Sequence, residues 1–345
     1  MEASILALSK YQISQFFSET PVTQQQCDQE AERITGVSAI PSTVQGGSSY
    51  TVITGDHVVQ FRASHSALDM PLLKCIEKIY MNFVPHHLYA GELDKLHIYK
   101  MNNIGGISMY LAREQLYQDN YRLLQQTLRD YAKSVTSQHL TSENHAANLT
   151  DRFFASAWHN RLEELPSPSR MMLFDSYSSQ LRALSTGLPS QFHQILNHLL
   201  SHLPDLFADD WPMVPNHTDL LENNIHVDPC TGRLVSICDW KDTEIGPFGM
   251  SLGGLETMLG INRTKQGWCY HPNQQALRDL FWTAFNQAMG DISDERIEIA
   301  RLVGIFLMNG WQYDEQDNKV PVWEGTHELA YLNAVVLETS TLPSC

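Results

Sequence analysis

The spacing of apolar positions changes several times along the chain, and each change marks an element. Over 3–18 and 22–35 apolar residues recur at helical intervals, and the good helix formers from Thr23 to Glu32 run out near Gly36. Over 38–62 the period falls to two and β-branched residues dominate. GGSS at 46–49 and TGDH at 54–57 interrupt that run, which predicts three antiparallel strands joined by two tight connections. Helical spacing returns over 68–83, with Pro71 suited to a first turn. LHIYKM at 96–101 and ISMYLA at 107–112 read as short strands around the NNIGG turn.

Beyond Arg113 the pattern is helical over 114–137, 150–164, 169–184 and 190–207, punctuated by Pro166, Pro168, Pro189 and Pro204. NIHVD (224–228), DPCTG and RLVSICDW (233–240) then form an isolated hairpin pattern. Helices are expected again over 274–289, 293–310 and 325–339. Neither an internal repeat nor a low-complexity tract is present. The fold class is therefore α+β, with a small β-rich lobe over 1–104 and a larger helical lobe over 105–345 that carries the hairpin. A cleft between two such lobes is a common place for a ligand.

The hairpin concentrates the polar chemistry. Pro229 and Gly232 set the reversal, and closing there puts Asn224 across from Asp239 at the open end. Ile225 and Val227 on one strand and Val235 and Ile237 on the other then share a buried face. Asp219 lies in the loop entering the open end. Two carboxylates and an amide oxygen in that neighbourhood suit a hard, oxygen-preferring cation such as Mg²⁺.

Composition narrows the partners. The chain has 345 residues, an apolar fraction of 43% and a formal net charge of −16, from 23 basic and 39 acidic side chains. Nucleic acid is disfavoured, since no basic stripe is present, whereas a cationic substrate suits the overall field. No stretch reaches the ~18 apolar residues of a membrane span, and the N-terminal segment reads as an amphipathic helix better than as a signal peptide. The six scattered cysteines form no CxxC pair, so reduced thiols and a cytoplasmic location are expected.

His217-x-Asp219, Asn224 five residues after that Asp, and Asp239-Trp240 resemble the catalytic loop and metal-binding Asp of the protein-kinase-like fold. The pattern is most similar to the aminoglycoside phosphotransferase and choline-kinase-like families, especially their divergent fungal-type branch. By that resemblance Asp219 is the catalytic base, Asn224 and Asp239 hold Mg²⁺, and ATP is the phosphoryl donor. His217 becomes a packing and hydrogen-bonding post. GGSSYTV at 46–52 resembles the phosphate-covering loop, through Gly46, Gly47, Ser48 and Ser49. Arg62 stands where a lysine is usual. Glu77 is its expected ion-pair partner, with Asp69 as rival, and the segment through Lys100, Met101 and Asn102 would meet the adenine. Asp242 and Glu244 are candidates for lining the acceptor site.

The resemblance implies a two-lobed, Mg²⁺- and ATP-dependent phosphotransferase acting on a hydroxyl of a small molecule. The acceptor is expected to be cationic or partly apolar, given the acidic charge and the aromatics Trp268, Tyr270, Trp311, Tyr313 and Trp323. ATP versus GTP, and monomer versus homodimer, stay open. Two other readings remain. One is a non-catalytic nucleotide- or partner-binding module, favoured by Arg62 and by the few glycines of the loop. The other is a non-haem iron oxygenase using His217, Asp219 and His271, with Arg278 as an anion anchor.

Overall fold

The alternation over 38–62 becomes part of a five-stranded antiparallel sheet in the computed structural model, which describes residues 2–132, 153–159, 169–263, 266–290 and 294–337. Its strands are β1 (Ile40–Pro41), β2 (Ser49–Thr54), β3 (His57–Ala63), β4 (His87–Leu93) and β5 (Leu96–Asn102), in the order β1-β2-β3-β5-β4. One face carries Tyr50, Val52, Val59, Phe61, Leu96 and Ile98. These pack against Phe16 of α1 (Glu2–Ser18) and Cys27 and Ala31 of α2 (Gln24–Thr35). Helix α2 opens on a capping box between Thr23 and Gln26 and stops at Gly36, whose φ of 74° is left-handed. Helix α3 (Met70–Tyr80) starts where the Asp69 carboxylate accepts the Leu72 N–H at 3.0 Å, with Pro71 in its first turn.

In this region one strand goes unannounced in the sequence and one expectation needs correction. β4 carries no strand signal because it is a bulged edge strand. Its register slips between Tyr89 and Gly91, Gly91 has φ +114°, and exposed Leu88 and Tyr89 break the alternation. The second expected strand, 107–112, is only two residues long, β6 (Ile107–Ser108). The Ser108 hydroxyl accepts the Leu111 N–H and so caps α4 (Met109–Leu116), which turns the rest into helix.

By packing, the chain divides into two compact units, Met1–Leu123 with Asn223–Lys241, and Leu124–Glu222 with Asp242–Cys345. The first therefore includes the polar hairpin, β8 (Ile225–Val227) and β9 (Leu234–Ile237), which continues the sheet of β6 in the order β6-β8-β9. Within its turn the Gly232 N–H donates to Asp228 O at 2.8 Å. Gly232 has φ +74° and a Cβ there would strike the backbone of Leu123, so no other residue fits. Ile225 pairs with Ile237, but a slip after His226 puts Val227 opposite Leu234. Leu234 is accordingly buried where Val235 was expected.

The second unit is mainly helical, with α5 (Arg122–Ala132) from Leu124 on, α6 (Phe154–His159), α7 (Arg170–Gly187), α8 (His193–His202), α9 (Glu256–Leu259), α10 (Gln274–Met289), α11 (Glu295–Asn309) and α12 (His327–Leu332). Leu181, Leu184, Leu196, Leu199 and Phe306 are fully buried, and the Phe192 and Phe306 rings meet edge-on at 5.8 Å. Strand β7 (Met213–Asn216) pairs antiparallel with β10 (Glu244–Pro247). Two further hairpins, β11 (Gly260–Arg263) with β12 (Gly267–Tyr270) and β13 (Trp311–Tyr313) with β14 (Lys319–Pro321), lie in the stretches between the expected helices, where no strand was expected. The expected helical positions 133–137, 150–152, 160–164, 293 and 338–339, together with Pro166, Pro168 and Cys345, lie outside the described residues. No described helix is long and apolar enough to cross a membrane. Cys27, Cys75, Cys230, Cys238 and Cys269 are free thiols.

Candidate functional site

The mouth of the β8–β9 hairpin assembles the first group of polar side chains. The Cys238 N–H donates to Asn224 O at 2.8 Å, so Asn224 lies across from Cys238 and one residue from Asp239. Trp240 is buried against Tyr80 of α3, ring centroids 4.8 Å apart, and its indole N–H donates to Ile237 O at 2.8 Å. That anchor holds the turn, and Asp239 itself adopts φ +60°, a conformation Asp tolerates better than most residues. Its carboxylate is left about half exposed, 52%, and faces Arg62 at 3.4 Å.

Arg62 is 3% exposed and every nitrogen of its fork is engaged. Nε donates to the Gln60 amide oxygen at 2.7 Å, Nη1 to Ser66 O at 3.2 Å and Nη2 to Asp239. Both relays lead back to the 46–49 loop: the Gln60 amide nitrogen donates to Ser49 Oγ, and the Ser66 hydroxyl donates to Ser48 O at 2.9 Å. Gln45 stitches the loop's other side to Thr51 through two hydrogen bonds, at 2.8 and 3.0 Å. Gly46 and Gly47 have ordinary φ values, and a Cβ at Gly47 would meet nothing within 4 Å.

Glu77 goes elsewhere than the sequence led us to expect. Its carboxylate accepts from the His87 N–H at 2.8 Å and meets His86 Nδ1 at 2.7 Å and His87 Nδ1 at 3.2 Å. Burial, the larger influence, holds the His87 imidazole below its usual pKa although Glu77 pulls it up. Asp69, the rival partner, is spent on capping α3. Lys100, Met101 and Asn102 end β5, paired with both β3 and β4 apart from Asn102, whose side chain accepts the His86 N–H. Next to Asp239 in the chain, burial, the largest influence, raises the Cys238 thiol, but the His226 imidazole and the Ser236 hydroxyl together hold it below its ordinary range.

Asp219 belongs to the second unit, on the loop after β7. Its own N–H donates to His217 Nδ1 at 3.1 Å, which makes Nδ1 the acceptor and His217 a neutral ring buried at 2% exposure. The loop is pinned on each side of Asp219. The Ser251 hydroxyl donates to His217 O at 3.2 Å, the Thr257 hydroxyl to Leu220 O at 3.1 Å, and the Thr218 hydroxyl to Asp242 O at 2.8 Å. The Asp219 side chain is exposed while Leu220 beside it is buried, so a carboxylate is presented to solvent from a fixed backbone. Asp242 contributes its carbonyl to that pinning, and the Glu244 carboxylate accepts from the buried Tyr177 hydroxyl at 3.1 Å.

Among the described residues no group of three or more His, Cys, Asp and Glu side chains could hold a metal. His217, Asp219 and His271 are thus not drawn together as an iron triad. The roles of Gln60 and Ser66 escaped the sequence reading, although the alternation in HVVQFR already places Gln60 and Arg62 on one face of β3.

Comparison with known proteins adds the following. The model of the phosphotransferase enzyme family (APH) matches residues 91–265, just over half of the 345. No curated protein sequence matches the chain. Among solved structures, the chain is similar to an aminoglycoside phosphotransferase, APH(3'')-Id, from Streptomyces rimosus, solved with ADP and streptomycin, at 12% identity over 81% of this chain and 95% of that one, with a TM-score of 0.47. A choline/ethanolamine kinase family protein from Mesorhizobium loti aligns at 14% identity over 83% of each chain, TM-score 0.46. A choline kinase from Cryptosporidium parvum aligns at 11% over 81% of this chain and 82% of that one, TM-score 0.42.

Proposed function

This chain belongs to the phosphotransferase enzyme family, and from that premise we propose that it transfers the γ-phosphoryl group of Mg²⁺-ATP to a hydroxyl of a small molecule. The observation that carries the proposal is the cluster of Arg62, Asp239 and Asn224 beside the 46–49 loop, all within the first unit. One buried guanidinium, one exposed carboxylate and one amide form a donor and acceptor set suited to a metal-chelated polyphosphate.

Asn224 and Asp239 would hold Mg²⁺. Two hard oxygen donors fit an ion that fills its remaining positions with phosphate and water, and Arg62 already supplies a cation facing Asp239. When bound, Mg²⁺ neutralises charge on the phosphates. Arg62 would turn its fork to the phosphates, with Ser48 and the backbone around Gly46 and Gly47 closing over them. The end of β5, through Lys100, Met101 and Asn102, is where the adenine would lie. Asp219, on its pinned loop, would take the acceptor's hydroxyl proton, with His217 fixing the backbone beside it. Asp242 and Glu244 belong to the acceptor side, where carboxylates favour a cationic molecule. A cytoplasmic setting, with free cysteines and cellular ATP, completes the proposal.

The direct test is thermal shift against ATP, ADP and GTP, each with and without Mg²⁺, on the wild type and Asp239→Ala. A nucleotide at a hundredfold excess over its Kd adds ~2.7 kcal/mol of apparent stability. A Mg²⁺-dependent shift present in the wild type and lost in Asp239→Ala is the expected result. A wild type stabilised by none of the nucleotides would instead favour a degenerate pocket and a partner-binding role without phosphotransfer.

Gly47→Ala separates binding from folding. A methyl there meets nothing within 4 Å and the backbone is unstrained, so the melting temperature should stay at the wild-type value. Against a phosphate covered by this loop the same methyl intrudes, and KM for ATP should rise about tenfold, the equivalent of one displaced hydrogen bond. An unchanged KM would place the phosphates away from Gly47.

A further inference from the structure

Arg62 and Glu77 are not joined in the way a buried cation and a helix carboxylate would suggest. Each has its own set of partners. Glu77 is satisfied by His86 and His87, three contacts between 2.7 and 3.2 Å that tie α3 to the start of β4. The Arg62 Nε–H instead meets the amide oxygen of Gln60, two residues away on the same strand face, at 2.7 Å. Gln60 is itself fixed from behind: its amide nitrogen lies 3.3 Å from Ser49 Oγ and 3.1 Å from Thr51 Oγ1, both on β2. The strand register makes this possible, because Thr51 is the cross-strand partner of Gln60 and Ser49 that of Arg62.

Resting on the reading of Arg62 as the phosphate-binding cation, we infer that Gln60 is the positioning residue that aims it and that Glu77 plays no part in that task. The chemistry favours an amide here. A guanidinium keeps its proton throughout the accessible pH range, so it needs no carboxylate to hold its charge. What it needs is a fixed direction for its planar fork. A neutral acceptor on Nε gives that direction without adding a second carboxylate to the Asp239 carboxylate already at Nη2, so more of the positive charge is left for the phosphates. The two serines at the end of the loop extend the same arrangement. Ser49 holds Gln60, and Ser48 O receives the hydroxyl of Ser66, whose carbonyl takes Arg62 Nη1, so the loop and the cation are braced together.

The test compares Gln60→Leu, Gln60→Glu and Glu77→Gln with the wild type, using Mg²⁺-ADP binding by calorimetry and melting temperature as a folding control. Gln60→Leu is expected to weaken Mg²⁺-ADP about tenfold, the effect of losing one hydrogen bond to a charged group. Gln60→Glu should keep the melting temperature and still bind more weakly than wild type, since direction is kept and charge is shared. Glu77→Gln should lower the melting temperature and leave affinity within about twofold, as a clasp remote from the phosphate would. In the nucleotide-free protein, the Arg62 Nε–H proton, assigned by its disappearance in Arg62→Lys, should be protected from exchange in the wild type and in Glu77→Gln, and exposed in Gln60→Leu. Wild-type binding with equal affinity in Gln60→Leu, or a larger loss in Glu77→Gln, overturns the inference while leaving the proposed function standing. A wild type that binds no Mg²⁺-nucleotide overturns the function, and Arg62 protection unaffected by Gln60→Leu then overturns the inference separately.

Discussion

Asp219→Asn is expected to lower the rate of phosphoryl transfer by about 10²–10⁴-fold, the usual contribution of a positioned general base, without weakening Mg²⁺-nucleotide binding. The amide is nearly the size of the carboxylate, and the backbone N–H that meets His217 Nδ1 is untouched. The hydroxyls of Ser251 and Thr257 still hold the carbonyls of His217 and Leu220, so the loop keeps its shape. For the reaction itself, the change takes away the carboxylate's proton acceptance. ADP release with a panel of small amino alcohols and polyols, read beside the thermal shift with Mg²⁺-ADP, separates chemistry from binding. Activity within tenfold of wild type would move the base to another residue. Loss of the thermal shift would show that Asp219 serves binding rather than proton transfer.

The same experiment decides between an enzyme and a binding module. A module that only holds nucleotide would give identical ADP release, at background, for wild type and variant. The two features that favoured it in the sequence were Arg62 in place of lysine and the few glycines of the 46–49 loop. Neither is an evident defect here, because Arg62 has all of its nitrogens engaged and the loop is stitched by Gln45 and Ser66 instead of by glycine turns.

Local patterns made some of this legible and hid the rest. TGDH and DPCTG are turn signals, and the hairpins they predicted formed at those places because turn residues act within a few positions of themselves. The alternation over 38–62 was readable for a similar reason, since one face must be buried whatever lies above it. By contrast β4 shows its backbone only to β5 and its side chains largely to solvent, so no burial pattern announces it. The fate of Glu77 was illegible on similar grounds. Helical spacing puts it on a face of α3, but the choice between Arg62 and two histidines depends on where β4 begins. Gln60 was within reach, given the register and the two-residue spacing. The expectation of a carboxylate partner for Arg62 hides it.

The largest stability effect should come from a residue that no functional motif contains. Glu256 is fully buried at the start of α9, in the apolar run LGGLETMLG. Its carboxylate binds Arg278 through two hydrogen bonds of 2.6 and 2.8 Å, takes Arg301 Nη1 at 3.2 Å and receives the Tyr270 hydroxyl at 2.8 Å. Arg301 in turn is forked by Glu298 at 2.8 Å on each arm. Glu256→Gln leaves two buried guanidiniums facing a neutral group, and removing one member of such a set costs about 3–5 kcal/mol. Urea denaturation should show that loss as a lower midpoint at unchanged slope. Glu256→Gln with Arg278→Met should recover part of it, because the variant then has one fewer uncompensated charge. A loss below about 1 kcal/mol in the single variant would mean that Arg278, like Arg301 beside Glu298, is satisfied by another group. The effect should also reach the chemistry. Thr257, the next residue, holds the carbonyl of Leu220, so a loosened α9 frees the loop that presents Asp219. Near the new melting temperature, turnover should therefore fall ahead of global unfolding, as local opening at the weaker end of the structure precedes the cooperative transition.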